Sequence, residues 1–336
     1  MIVNQFKELH ITPFDTINRN KVKKFLITQD LDFDEDVQYT IAILNNEEII
    51  ATGSMDEDVL KCIAVSKDYT GLSLTNKIIS LLTTEQYNRG FEHIFVYTKP
   101  HNHQIFTDLG FYKIMEIPDK VLLLENKRNG ITNFTKQISK HKIPGNKIAG
   151  LVMNCNPFTN GHLHLIKTAA KENDIVHIFV VSSERSQFSY SDRLKLVKLG
   201  TRHLKNTYIH ESGKYIISPA TFPSYFLKDS EKIVTAHAEL DLHIFAEYIA
   251  PSLGINTRYI GEELTCKVTA EYNKIMAQIL PSYNIDTVEI PRLTSLENTI
   301  SASYVRKLLA EKKIEQIQKL VPSTTYDYLL EHTSKK

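Results

Sequence analysis

The stretch VMNCNPFTNGHLHLI, residues 152 to 166, places two asparagines, a proline, a threonine and two histidines where an apolar strand gives way to a helix. A plain strand-to-helix turn needs only a turn former and a cap. This one aims a row of hydrogen-bonding side chains at a helix N-terminus, where unpaired backbone N–H groups and the positive end of the dipole favour an anion. Thr159 offers a hydroxyl, and His162, in the first turn, offers an imidazole to the same anion. Asn154 and Asn156 present amides across the loop, Pro157 stiffens it, and Gly161 leaves room for a ligand against the backbone. Each residue taken singly is explained as well by a helix cap or a surface side chain; the cluster as a whole is not. A second cluster, NTISASYVRKLL at 298 to 309, opens another helix with Ser301 and Ser303, and Arg306 follows one turn later. Hydroxyls, amides and a guanidinium on one helix end make a further polyphosphate clamp.

The elements that must position these groups fall into two halves. The boundary lies in ENKRNGITNFTKQISKHKIPGNK, residues 125 to 147, rich in Asn, Lys and Gly and ending with Pro144-Gly145. This gives a domain at 1–130, a linker at 131–146 and a domain at 147–336. The second half alternates: strand KIAGLVMN, helix GHLHLIKTAAKEN, strand DIVHIFVVS, helix SYSDRLKLVKLGTRHL, extended YIHESGKYIIS and KIVTAH, helix DLHIFAEYIAPSLG, strand INTRYIG, helix TAEYNKIMAQILPSY and strand DTVEIPRL, with helices to the end. Such alternation predicts an α/β domain with a parallel sheet covered on both faces, whose ligands sit beyond the carboxyl ends of the strands. The first half begins with a short helical stretch. A hairpin turning at Asn45-Asn46, a strand VLKCIAV, a helix ending at Gly90, a strand HIFVYT, a short helix ending at Gly110 and a strand VLLLE complete it.

Composition bounds the partners. Hydrophobic residues make up 42% and charged residues 24% of 336, as in globular proteins, and a net charge of +1 argues against a broad nucleic-acid footprint. The three cysteines, Cys62, Cys155 and Cys266, form no Cys-x-x-Cys pair, so neither a zinc knuckle nor a disulfide framework is expected. No apolar run is long enough to span a bilayer, and the start, MIVNQFKELHITPFD, is unlike a signal peptide; a cytoplasmic location is expected.

The two clusters together resemble the nucleotidyltransferase superfamily that contains pantetheine-phosphate adenylyltransferase. Thr159-Asn160-Gly161-His162 matches its T/H-x-G-H signature, and Ile300-Ser301-Ala302-Ser303-Tyr304-Val305-Arg306 its I-S-x-T/S-x-x-R signature. The resemblance implies a Rossmann-like domain in which the first motif grips the α- and β-phosphates of ATP and the second the β- and γ-phosphates. It also makes Arg185, in SSERSQFSYSDR, the candidate basic residue facing the reacting phosphate. In RYIGEE, Gly261 matches a Gly-x-Arg turn beside the adenine, but Glu263 stands where the arginine belongs.

The first half resembles the GNAT acetyltransferases, in CIAVSKDYTGLSLTNKIISLL and in IFTDLGFYKI. The pyrophosphate loop keeps Gly71, with Ser73 where a second small residue is usual, and the tyrosine that protonates a departing thiolate falls at Phe106. Such a domain suits an enzyme in which a thiol is acceptor rather than leaving group. A GNAT-like α+β domain followed by an adenylyltransferase-like domain resembles, over essentially the whole chain, the citrate lyase ligase family; VMNCNPFTNGH, YTKPHN, ATFPSYFLKD, DLHIFAEYIAPSLG, TAEYN and ISASYVRKLL carry the likeness. The resemblance implies an ATP-dependent acid–thiol ligase. It would acetylate the thiol of the CoA-like prosthetic group on the citrate lyase acyl carrier protein, from ATP and acetate, releasing AMP and pyrophosphate. Thr159, His162, Ser301, Ser303 and Arg306 would hold the phosphates, Asn154 and Asn156 the reacting centre, and Thr70, Gly71, Leu72, Ser73 and Leu74 the thiol arm. Mg²⁺ is expected on the phosphates, with no protein metal site. The nearest rival, tRNA-cytidine acetate ligase, shares an N-P-F-x-N-G-H stretch but predicts a basic face. A plain pantetheine-phosphate adenylyltransferase needs no first domain. A sensor of acyl-CoA and nucleotide would not cleave ATP.

Overall fold

The computed structural model describes residues 6–222, 231–264, 266–295 and 298–333, in two units, Met1–Gly130 and Ile131–Lys336. Residues 223–229 of ATFPSYFLKD lie outside the described residues.

The first unit runs β1 (Lys7–Ile11), α1 (Thr16–Thr28), β2 (Tyr39–Asn45), β3 (Glu48–Asp56), β4 (Val59–Val65), α2 (Leu74–Asn88), β5 (Phe95–Thr98), α3 (His103–Asp108), β6 (Tyr112–Ile117) and β7 (Val121–Glu125). Its seven-stranded sheet has the order β1-β2-β3-β4-β5-β7-β6, antiparallel except for the β4–β5 pair, which α2 connects. This is the GNAT-like α+β domain expected. Asn46 turns the β2–β3 hairpin with φ +54°, and Gly90 and Gly110 follow α2 and α3 with φ +86° and +83°. Strand β1 precedes the expected helix. Only its Ile11 is buried, so an edge strand with one core residue left no alternation to read.

The second unit runs α4 (Gly130–Ser139), β8 (Ile148–Met153), α5 (Asn160–Glu172), β9 (Ile175–Val180), α6 (Tyr190–Thr201), β10 (Thr207–Glu211), α7 (Glu231–Ile244), a π-helical turn (Phe245–Ile249), α8 (Ala250–Leu253), β11 (Thr257–Gly261), α9 (Lys267–Ile279), β12 (Asp286–Ile290), β13 (Thr294–Ser295), β14 (Asn298–Thr299), α10 (Ala302–Ala310), α11 (Ile314–Ile317) and α12 (Ser323–Thr333). The five strands β10-β9-β8-β11-β12 are all parallel, the Rossmann-like sheet expected. Strand β9 is buried at every position, as a sheet covered on both faces requires. One face packs on α7 and α9 through Val152, Phe179, Val181 and Ile260; the other packs on α5, α6 and α10 through Leu151, Met153, Val180 and Tyr259.

Segments of the second unit differ from expectation, among them YIHESGKYIIS, which is strand only as far as Glu211. KIVTAH is not extended but the start of α7: Val234, Ala238, Leu242 and Phe245 are all buried and recur at helical spacing. The expected linker contains α4, whose Ile138 is buried in the core of the second unit, with Phe134 packed against it.

Candidate active site

The sheet sets the position. The chain steps outward from β8 to β9 and β10, then returns to lay β11 and β12 on the other side of β8. The strand order therefore reverses between β8 and β11, and ligands in such sheets bind beyond the carboxyl ends of the strands at that switch point. A cleft of about 440 Å³ opens there. Its lining includes Asn154, Asn156, Thr159, Gly161, His162, Gly261, Ser301, Ser303 and Arg306. Arg185 is not part of that lining; it is half-buried on the loop after β9.

Thr159 caps α5. Its Oγ1 accepts the His162 N–H, while Nδ1 of His162 accepts the Thr159 N–H at 3.0 Å. Such a cap contributes about 1 kcal/mol, and with Thr159 1% exposed its hydroxyl serves the helix start. The cap also fixes the imidazole. With Nδ1 accepting, the proton of the neutral ring sits on Nε2. Burial, aided by the nearby Arg292 charge, pushes the His162 pKa down to about 4. At neutral pH His162 is therefore an uncharged Nε2–H donor, held flat by the Phe158 ring (interplanar angle 11°).

Helix α10 starts against the same point. Ser301 caps it by accepting the Tyr304 N–H at 3.1 Å. A Cβ on Gly161 would stand 3.1 Å from the Ile300 carbonyl oxygen, so glycine lets the two helix starts meet. Arg306 locks them: one Nη donates to the Asn156 carbonyl at 2.5 Å, the other to Ser303 Oγ at 3.0 Å.

Arg193, which the sequence reading passed over, organises the opposite rim. Fully buried, it donates to the carbonyls of Asn154, Val181, Ser183 and Phe188 and to Asn154 Oδ1. Asn154 Oδ1 also accepts from Ser186, and Asn156 Oδ1 from the Phe188 N–H. The two asparagine side chains thus tie the loop after β8 to the loop after β9. Cys155, between them, is buried, which pushes its thiol up to about 12 and leaves it no nucleophile.

The turn after β11 is tied to an arginine from elsewhere in the chain. Glu263 Oε2 pairs with Arg292, whose Nε also donates to the Glu262 carbonyl at 2.7 Å. A guanidinium thus stands beside this turn after all, delivered from the end of β12, and it lines the cleft. No group of three His, Cys, Asp or Glu among the described residues could hold a metal ion.

In the first unit, Thr70, Gly71, Leu72 and Ser73 are exposed ahead of α2, while the Leu74 side chain is buried in the core. Ser73 adopts φ +56° and makes no side-chain cap to α2. Phe106 is buried edge-on to Phe111, so no acid stands at that position.

Comparison with known proteins completes the description. Residues 148–329 match the citrate lyase ligase C-terminal domain family. The chain is 39% identical over 334 residues, 95% of each chain, to "[Citrate [pro-3S]-lyase] ligase" of Escherichia coli (strain K12). It is 39% identical over 314 residues, 92% of this chain and 94% of the other, to the protein of that name from Haemophilus influenzae. A solved structure of Thermotoga maritima TmcAL bound with alpha-thio ATP aligns over 56% of either chain, with 14% identity and a TM-score of 0.40.

Proposed function

From the premise that this chain belongs to the citrate lyase ligase family, we propose that it is an ATP-dependent acid–thiol ligase that activates acetate as acetyl-adenylate. It then passes the acetyl group to the prosthetic-group thiol of the citrate lyase acyl carrier protein. The observation that carries the reading is the meeting of two capped helix N-termini, α5 and α10, at the switch-point cleft, joined through Gly161 and Arg306.

The arrangement suits phosphoryl chemistry that needs no protein nucleophile. Acetate is already an anion, so its oxygen attacks the α-phosphorus directly and pyrophosphate leaves. The chain's task is to hold the reactants in line and to meet the charge that grows on the leaving group. His162 Nε2–H, the N–H groups of both helix starts, Arg306 and Arg292 do this. Because His162 is neutral, it donates without binding pyrophosphate so tightly that release stalls. Mg²⁺ would ride on the triphosphate oxygens and offset their charge, as it commonly does where the protein supplies no cage. In the first unit, the exposed Thr70–Ser73 turn ahead of α2 is proposed to receive the CoA-like arm.

No helix among the described residues is long and apolar enough to cross a membrane; a cytoplasmic site of action is proposed. The test is acetate-dependent pyrophosphate release from ATP and Mg²⁺, with hydroxylamine trapping the mixed anhydride as hydroxamate. Both products are expected. Acetyl transfer to a CoA-like thiol on the carrier protein, and not to tRNA, is the second expectation. Pyrophosphate formed only with a phosphopantetheine-type acceptor would replace this reading with plain adenylyl transfer.

A further inference from the structure

The cleft does not end at the phosphate grip. On the face of the sheet opposite α5 and α10 it is lined by Val152, Ile217, Ile260, Tyr272, Met276 and Arg258. Arg258 is 2% exposed, and its Nε and Nη1 are buried with no hydrogen-bond partner among the described residues. Its guanidinium lies over the Phe245 ring, 4.4 Å from the centroid. The nearest buried carboxylate does not complete it: Asp241 accepts from the Ile217 N–H, Thr221 Oγ1 and Tyr272 Oη at 2.7–2.8 Å, and not from Arg258. Asp241 therefore gives Arg258 charge balance but no hydrogen bond. Buried polar groups are nearly always paired, and a guanidinium with two free donors facing a cleft is a place where an anionic occupant gains bonds that the protein does not supply.

We propose that Arg258 is the anchor of the acid substrate: a site for a short aliphatic carboxylate, with the charge read by the guanidinium and the chain length limited by Ile217, Tyr272 and Met276. This inference rests on the adenylate-forming reading above and adds the residue that recognises the acid. Its position fits the stereochemistry. Pyrophosphate leaves toward α5 and α10 on one face of the sheet, so an in-line attacker must arrive from the other face, where Arg258 lies. One carboxylate oxygen, held there, forms the new bond to the α-phosphorus as the bond to the bridging oxygen breaks and its electron pair leaves with pyrophosphate. No proton moves. Once the anhydride has formed, the acyl group is neutral and the charge that Arg258 gripped is gone, which frees it for the thiol.

The experiment compares wild type with Arg258→Met, Arg258→Lys and Met276→Ala in acetate-dependent ATP–pyrophosphate exchange, alongside thermal unfolding. Losing one charge-assisted hydrogen bond predicts an acetate KM about 10- to 150-fold higher in Arg258→Met, with the ATP KM near wild type. Arg258→Lys should recover part of the loss, and Met276→Ala should shift preference toward propionate by about tenfold or more. An unchanged acetate KM in Arg258→Met, or acetate and ATP KM rising together with a fall in Tm, overturns the proposal in favour of a structural arginine. If wild type shows no acetate-dependent exchange, the adenylate reading fails and the site is judged by binding alone. Broadening of the ¹³C-acetate resonance by wild type but not by Arg258→Met would uphold it, and no broadening by either would overturn it.

Discussion

Two buried arginines are built in opposite ways: Arg193 stands behind the loops that rim the cleft, and Arg258 lines the cleft itself. Arg193, on the rim formed by the loops after β8 and β9, donates to four backbone carbonyls and a side-chain amide. Arg258, on the opposite face of β11, has two buried nitrogens with no partner among the described residues. Burial alone does not tell a structural cation from a ligand-binding one; the state of its donors does. Arg193 is fully bonded within the folded protein, whereas Arg258 keeps donors for an occupant.

Substitution can break that contrast or sharpen it. The largest effect is expected at His162, on the phosphate side: His162→Ala should lower acetate-dependent exchange about 10²- to 10³-fold, the size of losing one preorganised donor, with circular dichroism unchanged. Unaltered exchange would remove His162 from the chemistry. Next comes the arginine pair itself. Arg193→Met strands several buried carbonyls and should cost about 3–5 kcal/mol in urea unfolding, whereas Arg258→Met, which breaks no hydrogen bond among the described residues, should cost less. Equal losses would erase the distinction. A smaller effect is expected at Gly161→Ala, where the new methyl crowds the Ile300 carbonyl. About 1–3 kcal/mol of overpacking should raise the ATP KM about ten- to hundredfold and leave the acetate KM alone, assigning the two walls to the two substrates. The smallest lies away from both. His177 and His210 touch at 2.9 Å inside β9 and β10, and burial pushes them down to about 4 and about 3. They protonate more readily when unfolded, so their contribution to stability is complete above about pH 6.5 and is lost as pH falls toward 4. Tm measured from pH 7.5 to 5 should drop, and less steeply in His177→Leu/His210→Leu.

What the sequence disclosed follows the same division. The starts of α5 and α10 were legible because a helix N-terminus leaves local marks: a hydroxyl cap, a glycine, a basic residue one turn on. The alternation of strands and helices and the glycines after α2 and α3 were legible for the same reason. The second part of α7 was legible in DLHIFAEYIAPSLG, but its start was not: KIVTAH is half β-branched and reads as extended, and Asp241, 1% exposed in the same helix, reads as a surface residue. Nothing local says that Ile217, Thr221 and Tyr272 will satisfy it. Arg193, Arg258 and Arg292 escaped for a related reason: arginine is a surface residue by habit, and only partners distant in sequence reveal a buried one. The Gly-x-Arg departure at Glu263 shows the limit well. The guanidinium beside that turn, Arg292, comes from just past the end of another strand, at a spacing no motif encodes.

The bond from Arg306 to the Asn156 carbonyl spans 150 residues of chain, and this has a consequence for biosynthesis. A protein emerges from the ribosome N-terminal end first, so β8, α5 and β9 can assemble while α10 is still being made. Until α10 arrives, the proposed nucleotide grip has one hand. On that proposal a nascent chain has little hold on ATP, and nucleotide does not act as a scaffold for the early steps of folding. ATP binding would report instead that α10 has been made and has docked, which would make nucleotide capture a timer for completion of this unit.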